Sequence, residues 1–219
     1  MKAFLTKLKN VIIGKELWIR KQCRVPLVWC GNDYGGFYIS PLPDMKNIYS
    51  FGIGTDISFD LAIIEKFNVE IFAFDPTPKS IDWIKNKGEI RKFHFYPIGL
   101  SNFDGKAEFH LPKNPEYVSG SAFLYDGVKT EAVSVEMKRL STIISELKHK
   151  FIDVLKLDIE GSEFDVIEDI SISSSFEDNS SIIYHSIAKQ NKLFDKIKLY
   201  YSYLIKHFSI RPINWLNTF

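Results

Sequence analysis

At 219 residues the chain is long enough for one domain, or for one domain with a small appendage. Its 45% hydrophobic and 15% aromatic content is ample for a core and excludes wholesale disorder. A net charge of +1, from 28 Lys and Arg against 27 Asp and Glu, argues against a global electrostatic footprint for nucleic acid. The stretch from Met1 to Arg20 mixes Phe4, Leu5, Leu8, Ile12, Leu17 and Trp18 with several basic residues, the pattern of an amphipathic helix broken near Gly14. It has no small-residue cleavage site, so no secretory signal is expected; such a helix covers an edge of its own domain or grazes an anionic membrane surface. No run approaches the roughly 18 consecutive apolar residues of a membrane span. Cys23 and Cys30 stand in no metal or redox spacing and are expected to be reduced thiols of a cytoplasmic protein.

Leu27–Cys30 and Phe37–Ile39 flank a turn rich in Gly31, Asn32, Gly35 and Gly36, a hairpin signal, and Pro41, Pro43 and Asp44 then break the chain. Residues 1–46 are therefore expected as a helix-and-hairpin appendage to a main domain over 47–219. Within that domain, strands are expected at 47–51, 69–74 and 92–97, with helices at 58–67 and 78–87. Continuously apolar runs separated by helical patterns indicate a mostly parallel sheet with helices on both faces. From Gly99 to Val135 the texture changes. Turns at Asn102–Gly105 and Asp126–Gly127 separate strand-like runs at 107–111 and 132–136, a β-rich insertion expected over the sheet's carboxyl edge. Val154, Leu155, Leu157 and Ile159 belong to a further buried strand, serines at 171, 173–175, 180 and 181 mark a polar loop, and Ser181–Ser186 reads as a fifth strand. Leu193, Ile197, Tyr200, Leu204 and Phe208 form a helical stripe beyond it.

Two features point to a nucleoside ligand. Gly52 and Gly54 follow the first core strand, and Asp75 ends the second, 21 residues after Gly54. Glycines let the backbone approach a ligand, and an acid at about this distance accepts hydrogen bonds from ribose hydroxyls. A dinucleotide fingerprint would carry a third glycine at position 57 beside the pyrophosphate; the chain has Ile57. A ligand with a ribose and a base but no pyrophosphate, such as S-adenosylmethionine, fits better than NAD. The plainer readings are an ordinary strand-to-helix turn for the glycines and a helix cap or Asx-turn for Asp75.

The densest motif runs from Asp153 to Glu163, Asp-Val-Leu-Lys-Leu-Asp-Ile-Glu-Gly-Ser-Glu. Lys156 and Asp158, at the carboxyl end of a buried strand, are expensive unless paired or used. Glu160 and Glu163 open a helix, where acids also simply complement the dipole. Among five histidines, His94 and His149 are expected to be structural or solvated, and His185 is the candidate general base. A Mg²⁺ site from Asp158, Glu160 and His185 is conceivable, but nothing fixes its geometry, so no metal is expected.

Taken together, these blocks resemble the FkbM-type S-adenosylmethionine-dependent methyltransferases. Their hallmark strand, D-x-L-K-x-D-x-E-G-x-E, is matched from Asp153 to Glu163. The glycine turn at Gly52 and Gly54, the pair Asp75-Pro76, and the stretch Gly99-Leu100-Ser101-Asn102…Gly105 agree as well, so the resemblance covers about Asn47 to Ile170. It implies a Rossmann-like class I methyltransferase fold and methyl transfer from S-adenosylmethionine, usually to a hydroxyl of a saccharide or natural product. By position, Gly52 and Gly54 would approach the methionine part and Asp75 would hold the ribose. Gly99, Leu100 and Ser101 would lie near the adenine, and Asp158 and Glu160 would face the transfer centre, with Asp158 also near the methionine amino group. Ile183 stands where the family carries a glutamate, and no glycine follows Gly161, so a shortened carboxyl-terminal part is expected. The alternatives are a truncated, non-catalytic relative and a nucleotide-sugar or NAD-binding enzyme. The acceptor would be a small molecule or glycan precursor rather than nucleic acid.

Overall fold

The computed structural model describes residues 26–112, 128–159, 162–173 and 181–184. The expected amphipathic helix before Arg20, the stripe after Leu193, Cys23, Glu160 and His185 lie outside the described residues. A hairpin comes first: β1, Val28–Cys30, pairs antiparallel with β2, Phe37–Ile39. An alternation of strands and helices follows, with β3 at Asn47–Phe51, α1 at Ser58–Phe67, β4 at Glu70–Phe74, α2 at Pro78–Lys87 and β5 at Phe93–Tyr96. The chain then makes β6, Gly99–Leu100, β7, Gly105–Pro112, and β8, Val128–Lys138. It closes with α3, Leu140–Leu147, β9, Val154–Leu157, α4, Glu163–Ser173, and β10, Ser181–Tyr184.

The central sheet has the order β10-β9-β3-β4-β5, and every neighbouring pair in it is parallel. Parallel strands are covered on both faces, which is why β3, β4 and β9 carry almost unbroken apolar runs. Alternate residues supply the two cores. Ile48, Ile71, Ala73 and Val154 pack with Phe59 and Ile63 of α1 and Ile84 of α2. Tyr49, Phe51, Phe74, Leu155 and Leu157 pack with Leu140 and Ile143 of α3 and Val166 and Ile170 of α4. Each fully buried side chain of this size contributes about 1.5–3 kcal/mol. Cys30, Phe37 and Ile39 of the hairpin are buried in the first core, with Phe37 edge-on to Phe59.

Helix α3 is a feature that the sequence reading missed. Leu140, Ile143, Ile144 and Leu147 have helical spacing, and the first two are buried. Its start is held by Asp104, which accepts from the Arg139 N–H at 2.9 Å and from the Thr142 hydroxyl at 2.9 Å. The expected insertion is a separate sheet, β6-β8-β7, in which β6 runs parallel and β7 antiparallel to β8. His94 meets Glu70 at 2.9 Å and stacks on Phe72, while His149 Nδ1 lies 2.8 Å from the Tyr49 hydroxyl. Both histidines thus have structural contacts.

From β3 the chain moves outward to β4 and β5, then returns to lay β9 on the other side of β3. The strand order reverses there. In open α/β sheets, ligands bind outside the carboxyl ends of the strands at such a reversal.

Candidate functional site

A cavity of about 350 Å³ opens at that reversal, lined by the residues that follow β3, β4 and β9. Its floor is held backbone to backbone. The Gly52 N–H donates to the Phe74 carbonyl at 2.9 Å, and the Asp158 N–H to the Phe51 carbonyl at 3.2 Å. Gly52 has φ +72°, and a Cβ there would stand 1.8 Å from the Asp158 carbonyl oxygen. Glycine is thus required by the neighbouring strand's backbone. Gly54 also has a positive φ, +56°.

Asp75 is 4% exposed yet lines the cavity. Its Oδ2 accepts from the Gly54 N–H at 2.9 Å, so the acid and the glycine turn, 21 residues apart, touch directly. Its Oδ1 accepts from the Thr77 N–H at 2.9 Å and the Thr77 hydroxyl at 2.6 Å, an Asx-type turn into α2. A carboxylate offers about four acceptor positions. Among the described residues three are used, which leaves about one for a ligand hydroxyl.

Gly99 and Leu100 line the same cavity together with Pro76, Ile98, Phe109 and Met137, an apolar set in which Met137 and Pro76 lie close to Gly99. Ser101 is not among the lining residues; it is buried, with its N–H donating to the Lys138 carbonyl at 2.9 Å. Asp158, after β9, and Ser162 line the cavity as well. The fully buried Glu163 accepts from the Ile159 N–H at 2.9 Å and so braces the turn after β9.

Several lining residues were not assigned to the site from sequence. Tyr34 and Gly35 of the hairpin turn reach the cavity, as do Asp56 and Lys156. Asn32 ties that turn down: its Oδ1 accepts from the Tyr34 and Gly35 N–H groups at 2.9 and 2.7 Å, and its Nδ2 donates to Asp56 Oδ2 at 2.8 Å. The Ser58 N–H donates to Asp56 Oδ1 at 2.7 Å. Burial opposes ionisation of Asp56, but the bonds from Ser58 and Asn32 and the Lys156 charge hold its pKa below the ordinary value. An asparagine in a glycine-rich turn was the available signal, yet its partners lie 24 and 26 residues away. The signal for Lys156 was its charge inside an apolar strand.

Asp60 of α1 is buried, and among the described residues neither of its carboxylate oxygens has a hydrogen-bond partner. Burial pushes its pKa up to about 6, against the opposing influence of Lys156 and of the Ser50 hydroxyl. Among the described residues, no group of three His, Cys, Asp or Glu side chains is placed to hold a metal ion. No described helix is long and apolar enough to cross a membrane.

The chain is 28% identical over 113 residues to the 2-O-methyltransferase NoeI of Sinorhizobium fredii (strain NBRC 101917 / NGR234). That alignment covers 45% of this chain and 46% of NoeI, so the match spans about half of the relative's length. No solved structure matches. The family model for the methyltransferase FkbM domain matches residues 32–200, from the hairpin turn to beyond β10. This chain belongs to the FkbM methyltransferase family.

Proposed function

We propose that the protein is an S-adenosylmethionine-dependent methyltransferase that acts on a hydroxyl oxygen, with a saccharide or glycan precursor as acceptor. The observation that carries this reading is the order of the lining along the sheet. Following β9-β3-β4-β5, it runs from Lys156 and Asp158 at the end of β9, past the Gly52–Gly54 turn after β3 and Asp75 after β4, to the apolar Ile98 and Leu100 beyond β5. A zwitterionic amino acid joined through a ribose to an apolar-faced base has the same sequence of chemistries. The volume of about 350 Å³ is within the range of small-molecule sites, about 300–1,000 Å³.

Within this reading the remaining acceptor position of Asp75 receives a ribose hydroxyl. The Gly54 turn, held by that same carboxylate, faces the amino-acid part, and Leu100 with Met137 packs on the base. When bound, the cofactor would supply an electrophilic methyl group on a positively charged sulfur. The protein's task is then chiefly to orient the acceptor oxygen, since positioning can supply several kcal/mol of such a barrier. Asp158, Glu160 and His185 are the proposed groups for taking up the hydroxyl proton. An oxygen acceptor is supported by the name of the relative NoeI, a 2-O-methyltransferase.

Titration calorimetry with S-adenosylmethionine, S-adenosylhomocysteine and NAD tests the reading. Binding of the two adenosyl compounds and not NAD is expected. NAD binding alone, or no binding at all, would overturn it. Methyl transfer to members of a glycan panel then tests the acceptor class.

A further inference from the structure

Lys156 has an unusual setting. It belongs to β9 between Leu155 and Leu157, is 3% exposed, and stands opposite Ser50 of β3 on the face covered by α1 and the hairpin. Its ammonium donates to the Gly52 carbonyl at 3.3 Å and lies 5.1 Å from the centre of the Phe37 ring. A buried lysine costs several kcal/mol unless something compensates its charge. No ion pair among the described residues includes it. The nearby carboxylates act only at longer range. Asp56 is engaged by Asn32 and Ser58, and Asp60 lies in the core and does not line the cavity. Lys156 itself does line the cavity. An ammonium has three donors, and the long bond to Gly52 uses one.

We propose that Lys156 receives the carboxylate of the ligand's amino-acid part at the β9 side of the cavity. This assignment rests on the adenosyl-cofactor reading above and deepens it. The bond to Gly52 O aims the ammonium, the Phe37 face lies against the cation, and the bound carboxylate supplies a direct ion pair where Asp56 and Asp60 act only at longer range. Asp158, on the same strand's end, is placed to meet the ammonium of the same ligand part.

The test compares S-adenosylhomocysteine with its decarboxylated analogue, S-adenosyl-3-thiopropylamine, by titration calorimetry on the full chain. The wild type should prefer the carboxylate form by about tenfold or more, the scale of a hydrogen bond to a charged group. Lys156→Met should lose that preference, binding S-adenosylhomocysteine about 10–100-fold more weakly and the analogue about as before. Lys156→Arg, which keeps the charge if the methionine variant does not fold, should retain the preference. An undiminished preference in Lys156→Met, an equal loss of both ligands, or a lost preference in Lys156→Arg would overturn the assignment and leave the cofactor reading standing. A wild type that binds neither compound would overturn both.

Discussion

Gly52 and Asp158 hold the two central strands of the sheet at backbone contact: the pro-Cβ position of one lies 1.8 Å from the carbonyl oxygen of the other. With the Asp158 N–H bonded to the Phe51 carbonyl, this contact sets the spacing of the cavity floor. Gly52→Ala should therefore force β3 and β9 apart, costing more than about 2 kcal/mol in urea denaturation through clash and backbone strain together. Gly88, at φ +74° with nothing within 4 Å of an added Cβ, is the control. Gly88→Ala, at φ +74° and ψ −165°, should show backbone strain alone, about 1–3 kcal/mol. Equal losses in the two variants would show that the contact with Asp158 carries no weight.

Asp75 holds the fold together at the cavity and is the proposed ribose ligand. Asp75→Ala removes the acceptor for the Gly54 and Thr77 N–H groups and should lower stability by about 1–3 kcal/mol. It should also weaken S-adenosylhomocysteine binding by about 1.5–3 kcal/mol. Thr77→Val leaves the Gly54 bond in place and should affect stability more than binding. Unchanged affinity in a folded Asp75→Ala protein would remove Asp75 from the ligand site.

Asp60 should make stability fall as pH rises. Its folded pKa of about 6 lies above the ordinary 3.8. Below about pH 4 the carboxyl is protonated in both folded and unfolded chains and carries no penalty. Between about pH 4 and 6 the unfolded chain releases the proton first, so ionisation favours unfolding. Above pH 6 the full penalty applies, about 3 kcal/mol at 1.36 kcal/mol per pKa unit. Asp60→Asn should flatten this slope in denaturation curves taken from pH 4 to 7. An identical slope in the variant would assign the pH dependence elsewhere.

Asp158→Asn and Glu160→Gln separate chemistry from architecture. If either side chain handles the acceptor proton, the variant should fold and lose about 10²–10⁴ in methyl-transfer rate. Glu163→Ala should instead act through stability, because its carboxylate braces the Ile159 N–H from a fully buried position. A Glu160→Gln enzyme that binds cofactor and methylates normally would reduce that residue to a helix-opening acid.

The legible part of the fold is the part whose signals are local. Asn47–Phe51, Glu70–Phe74 and Val154–Leu157 announce themselves because strands buried on both faces need continuous apolar runs. Gly52, Gly54, Asp75, Gly99, Leu100 and Asp158 were legible as a spaced set, and all six line one cavity. Tyr34, Gly35 and Asp56 escaped because Asn32 joins the hairpin turn to Asp56 and Ser58 across 24 and 26 residues, and such bonds leave no period in the sequence. Nor did Asp75 reveal in sequence that most of its acceptor capacity serves Gly54 and Thr77. Helix α3 was missed although its apolar spacing was present, hidden behind the long strand β8.

The clasp between β3 and β9 has a consequence for biosynthesis. Asp153 Oδ2 accepts from the Lys46 and Asn47 N–H groups, 107 and 106 residues earlier. A nascent chain would emerge with β3 able to pair with β4 but with its other edge bare until β9 leaves the ribosome. At about 5–20 residues per second, that interval is on the order of 5–20 s. Closing so long a loop is itself only modestly costly, since the entropy grows with the logarithm of length. The hazard is the wait, during which an apolar strand edge stands open to other chains. The floor of the cavity is thus among the last parts of the molecule to form, and chaperone occupancy during translation should fall once residue 157 is exposed.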